Sequence, residues 1–179
     1  MKYKYTILII SGLLFGSCTT TKDNLNVTES YSLIVSSFNL TKDAHQKLID
    51  RYSESLNAIK NDEDTLIDTK GLYILLDSAK LTNQKSSSMV NLAGEINDTK
   101  YKETALKYIN LLDKLYNNEL KKYIVVLANQ SKDRYEKSSK LLFSRQEELE
   151  KLDEKFSYAA NQVRTMYHLE IVDSSQMTK

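Results

Sequence analysis

Apolar residues recur along this chain at alternating steps of three and four, and four stretches carry that spacing. The first expected helix runs from about Tyr31 to Lys60. Ile34, Phe38, Leu48, Tyr52, Leu56 and Ile59 share one face, with Thr41 and His45 at the intervening positions. Asn61-Asp62-Glu63-Asp64 interrupts the stripe and places acids where they complement the next helix dipole. The second helix runs from about Thr65 to Gly94 on Leu72, Leu76, Ala79, Met89, Val90 and Ala93, with a polar, serine-rich middle from Lys80 to Ser88. Asn97-Asp98 is the next break, with Asp98 a good N-cap. The third helix runs from about Thr99 to Gln130. Ala105, Ile109, Leu112, Tyr116, Leu120, Tyr123 and Leu127 follow a period of about 3.7, nearer an eleven-residue repeat than a heptad. Ser131 opens the fourth, which runs to about Leu169 and carries a heptad. Tyr135, Leu142, Leu149, Phe156 and Val163 hold one core position. Leu152, Ala159 and Met166 hold the other, with Ser138 and Arg145 as its polar exceptions.

Composition agrees with helices. The chain has no proline and four glycines, too few for the tight turns of a β-rich protein. The 179 residues suffice for one domain. Four helices of about 30 residues, each about 45 Å long, with short connections predict an all-α fold, an antiparallel up-down-up-down four-helix bundle with long helices. The runner-up is a pair of long helical hairpins that complete their core on dimerising.

The first 17 residues have a different logic. Lys2 and Lys4 precede an apolar run, Thr6 to Phe15, that is too short to span a bilayer and has the length of a signal-peptide core. Leu14-Phe15-Gly16-Ser17-Cys18 resembles the lipobox of bacterial lipoproteins: Phe15 stands at the leucine-like position, followed by two small residues and the cysteine. The resemblance implies cleavage before Cys18 and lipidation of that cysteine, with the membrane as partner. Thr19, where an inner-membrane retention signal has Asp, implies the outer membrane of a bacterial envelope. The expected organisation is a signal peptide at 1–17, a lipidated cysteine and flexible tether at 18–30, a bundle domain at 31–169 and a tail at 170–179.

Charge and chemistry narrow the function. Without Lys2 and Lys4 the formal net charge falls from +1 to −1, which gives no electrostatic case for nucleic acid. Cys18 is the single cysteine, so no intramolecular disulfide forms. Neither His45 nor His168 belongs to a Glu-x-x-His motif, and no phosphate loop or nucleophile elbow occurs. No metal, cofactor or catalytic activity is expected. Tyr101, Tyr108, Tyr116 and Tyr123 recur every seven or eight positions; the spacing favours a place at the core edge with hydroxyls reaching solvent over a binding strip. Asp64-Thr65-Leu66 and Asp77-Ser78-Ala79 resemble a short O-glycosylation motif. Arg145, in a core position, needs a partner or a route to water. Counting from the breaks places Glu119, Asp77, His45 and Tyr116 at its height. A polar layer is therefore expected, with Arg145 paired to Glu119 or Asp77.

From Tyr101 to Ile171 the sequence resembles small helical surface lipoproteins of Bacteroidetes and spirochaetes. The resemblance rests on Ala105-Leu106-Lys107-Tyr108 and on Leu152, Phe156, Ala159 and Val163. It implies a non-enzymatic envelope protein with a binding, scaffolding or interaction role, through a protein partner or self-association. The alternatives are a small-ligand carrier, binding between the helices, and a hydrolase with a histidine–carboxylate site.

Overall fold

The computed structural model describes residues 26–169, apart from 63–64, 95, 97–98 and 130. The expected signal peptide, Cys18, Asp98 and the tail from 170 lie outside the described residues. Among the described residues six helices follow one another: α1 Val27–Asn61, α2 Thr69–Leu92, α3 Thr99–Asn117, α4 Glu119–Ala128, α5 Arg134–Leu142 and α6 Gln146–Met166. No strand occurs among the described residues. The protein is all-α, and its helices pack as four rods, since α3–α4 and α5–α6 each occupy one expected helix. α1 packs on α2, α3 on α6, α4 on α5 and α2 on α3.

Helix boundaries follow local capping chemistry. α1 starts at Val27, inside the stretch expected to be tether. The Asn26 side chain accepts from Glu29 N–H and the Glu29 carboxylate accepts from Asn26 N–H, a capping box that nucleates the helix before its apolar stripe begins. α2 starts at Thr69 rather than at about Thr65, because Asp68 is the cap and accepts from Gly71 N–H at 3.0 Å. A Cβ on Gly71 would collide with that carboxylate.

The two interruptions differ. At Asn118 the backbone distorts, but bonds from Asn118 N to Lys114 O and from Lys122 N to Asn118 O carry the helical ladder across. At Phe143–Arg145 the chain makes a tighter turn, with Gln146 N donating to Phe143 O before α6 resumes. That turn ends the uninterrupted heptad expected here. Leu142, Leu149, Phe156, Ala159 and Val163 stay buried, whereas Met166, expected in the core, is exposed. The polar middle of α2 is helical, and its Asn83 and Ser86 are buried; Asn83 Nδ2 donates to Ile109 O at 2.9 Å.

Tyrosines dominate the core. Tyr52, Tyr101, Tyr116 and Tyr123 are fully buried and Tyr108 nearly so, which corrects the expectation that the α3–α4 tyrosines expose their hydroxyls. Helix ends and exposed turns of backbone would take such hydroxyls easily; here most are received by carbonyls inside the bundle. Tyr123 donates to Tyr52 O at 2.6 Å, Tyr52 to Leu72 O at 3.1 Å, and Tyr101 to Tyr31 O at 3.0 Å. The Tyr52 and Tyr123 rings stack at 4.8 Å. An aromatic column, Tyr31–Tyr101–Phe156–Phe38, ties α1, α3 and α6, with Phe156 and Phe38 stacked at 3.7 Å. Arg134 is a buried cation that the apolar pattern does not signal. Its guanidinium donates to Leu127 O at the end of α4 and to Thr65 O before α2, serving a helix-terminal carbonyl.

The tyrosines give a paired test. Tyr123→Phe removes a buried hydrogen bond, but the Tyr52 carbonyl keeps its helical N–H, so the expected loss is about 1 kcal/mol. The Tyr116 hydroxyl is buried without a hydrogen-bond partner among the described residues, so Tyr116→Phe should be neutral or stabilising. Urea unfolding midpoints of the two variants check both signs.

Candidate functional site

The expected polar layer forms in part. Arg145 sits at the cap position of α6, in the turn after α5, with its side chain 41% exposed. Its Nε donates to Glu119 Oε1 at 3.2 Å and its Nη1 to Glu148 Oε2 at 3.1 Å. The turn is what lets the guanidinium leave the core: on an unbroken heptad it would point inward, and here the stem lies along the bundle while the head reaches the surface. Two carboxylates hold its pKa above the usual arginine value, Glu119 first and Glu148 second. The Arg145–Glu119 pair is the one anticipated.

Asp77 does not join it. It is exposed on α2, whose neighbours are α1, α3 and α4, whereas the Arg145 turn leans on α4 and follows the rod that packs on α1. Counting residues from the breaks estimates height along the bundle but not position around it, and Asp77 differs from Glu119 in the second. His45 and Tyr116 do meet, with ring centroids 5.8 Å apart and planes tilted by 44°. His45 Nδ1, Tyr116 Oη and Glu119 Oε2 are buried without hydrogen-bond partners among the described residues.

Beside this layer opens a cleft of about 360 Å³ between α1 and the α5–α6 turn. Lys42, His45 and Gln46 form its polar α1 wall, with Ile49 below; Leu142, Phe143 and Leu149 supply apolar surface opposite, and Arg145 stands at the turn. Lys42 pairs with Asp153, whereas Asp50 and Glu150 accept from the neutral amides of Gln46 and Gln146, which do not offset their charge. A polar wall facing apolar surface suits an amphipathic small molecule. The pattern of single apolar positions did not disclose the cleft. Arg145, a polar exception in the heptad, is a lining residue that the pattern singles out.

Burial lowers the His45 pKa to about 4, so the imidazole is neutral at pH 7. No group of three His, Cys, Asp or Glu able to hold a metal occurs among the described residues. Comparison of the chain with known families, with characterised proteins and with solved structures gives no match.

His45 makes the fold pH-dependent with a definite sign. Its folded pKa lies below the ordinary 6.5, so folding favours the neutral ring. The stability this contributes is complete above pH 6.5 and is lost as pH falls towards 4, by up to about 3 kcal/mol. Urea midpoints measured from pH 7 to 4 should therefore fall more steeply in the wild type than in His45→Gln. Parallel curves would show that the buried imidazole does not resist protonation.

Proposed function

We propose that this protein is a lipid-anchored component of a bacterial envelope, held to the membrane through Cys18, whose helical bundle has a non-catalytic binding or scaffolding role. The observation that carries the reading is the signal-like segment ending in Leu14-Phe15-Gly16-Ser17-Cys18 ahead of a bundle that begins at Val27. No helix among the described residues is long and apolar enough to cross a membrane, so attachment of this part of the chain calls for another device. Acyl chains on one cysteine supply it, each buried CH₂ contributing about 0.8 kcal/mol. Outer-membrane placement follows from Thr19 by analogy with sorting signals.

The rods run up-down-up-down in this reading. Support comes from the order of contacts. Along α1, Ser30 meets Gly94 and Tyr52 meets Leu72, so partner numbers fall as α1 advances. Tyr31 meets Tyr101 and Tyr52 meets Tyr123, so on the α3–α4 rod they rise. Phe38 meets Phe156, and Lys42 meets Asp153.

A second reading, a carrier of a small amphipathic ligand, is favoured by one observation, the cleft beside His45 with its polar wall and apolar surface. A protein partner or a second copy would fit the scaffolding role equally well.

Metabolic labelling with a fatty-acid probe tests the anchor. The wild type should take up label and Cys18→Ser should take up none, remaining uncleaved by the lipoprotein peptidase. Equal label in both would refute the anchor.

A further inference from the structure

Contacts place α1's N-terminus, α2's C-terminus and α6's C-terminus at one end of the bundle. Gly94 N–H donates to Ser30 Oγ, Tyr101 stacks on Tyr31 and donates to its carbonyl, and the Arg164 charge acts on the Tyr31 hydroxyl. Two large apolar side chains stand in water at this end, Leu92 at 74% exposure and Met166 at 59%. Each closes its helix, at positions where a polar residue would serve solubility better.

Exposed apolar residues also occur elsewhere, among them Leu66 and Ile74, and singly they mean little. What separates Leu92 and Met166 from these is the covalent path to Cys18. From Cys18 to Asn26 is eight residues, a reach of at most roughly 28 Å when fully extended. α1, with 35 residues, is about 52 Å long. A lipid on Cys18 therefore cannot let the far end of the bundle, where Leu66 lies, rest on the bilayer with the near end pointing away. The bundle either stands on the Leu92–Met166 end or lies on its side.

We propose that it stands: the end formed by Leu92 and Met166 docks on the bilayer that holds the lipid of Cys18, with both side chains entering the interfacial region. This rests on the anchor proposed above. Apolar side chains gain by leaving water, and the tether holds them within reach of the surface, so even a small contact is occupied for much of the time. Charge at this end is mixed: Lys102, bonded to the carbonyls of Asn91 and Ala93, and Arg164, bonded to Asn161, remain cationic, and Glu29 opposes them, so zwitterionic lipid isolates the apolar contact. The consequence is an orientation: the cleft beside His45 is carried partway up the bundle, clear of the membrane and open to the aqueous compartment.

The chain contains no tryptophan, so one introduced at an exposed site is an unambiguous reporter. Leu92→Trp, Met166→Trp, Leu66→Trp and Ile74→Trp variants are purified from membranes, checked by mass for acyl groups, and reconstituted in phosphatidylcholine vesicles with brominated chains. Leu92→Trp and Met166→Trp should shift to the blue and lose most of their emission to the bromolipid. Leu66→Trp and Ile74→Trp should keep theirs and be quenched by aqueous acrylamide. Acylated protein in which Leu92→Trp and Met166→Trp respond like Leu66→Trp overturns the docking and leaves the anchor standing. Quenching of Ile74→Trp equal to that of Leu92→Trp means that the bundle lies flat, which also overturns it. Protein without acyl groups overturns the anchor, and the docking with it.

Discussion

A buried tyrosine hydroxyl gains from an acceptor, and Tyr52, Tyr101 and Tyr123 each find one on the backbone of a neighbouring helix. Tyr123 donates to the carbonyl of Tyr52, and Tyr52 donates in turn to that of Leu72, a relay from α4 through α1 to α2. Leucines alone would tolerate a slide of one rod past another by a turn, since apolar contact has no direction. A hydroxyl aimed at one carbonyl does not, because a slide leaves a buried donor unpaired. Tyr101 does the same at the other end, against Tyr31. The relay thus sets the relative height of helices whose apolar stripes would accept several alignments.

The polar layer depends on that alignment. His45 faces Tyr116 and Glu119 reaches Arg145 because α1 and the α3–α4 rod are held at one register. The turn at Phe143–Arg145 then lets a guanidinium keep its charge near water rather than in the core, where an isolated charge would be costly. The cleft opens beside this turn, with Leu142, Phe143 and Arg145 facing His45 of α1. Its polar wall and apolar surface together would recognise an amphipathic ligand.

In the lipid-anchored protein proposed here, a short tether would add a constraint that a free bundle lacks. The capping box at Asn26 and Glu29 starts α1 only eight residues after Cys18, so rigid helix replaces part of the stretch expected as tether. A lipid on that cysteine would leave the bundle few orientations, and the nature of its near end would choose among them.

Much of the fold was legible in the chain itself. The stripes on α1 and α2, the heptad residues Leu142, Leu149, Phe156, Ala159 and Val163, and the breaks near Asn61, Asn97 and Ser131 reflect helical periodicity, which is a local property and survives in sequence. The cap at Asn26 was equally local, an Asn-x-x-Glu pattern hidden in what read as tether. The Arg145–Glu119 pair could be reached by counting along helices on either side of one short connection. The burial of Arg134, the inward hydroxyls of the tyrosines, the exposure of Met166 and Asp77, and the cleft beside His45 could not. Periodicity says which face of a helix is apolar and how far along a residue lies. Only packing says which neighbour that face meets, whether a carbonyl is there to receive a buried donor, and where a rod must break to let a charge out.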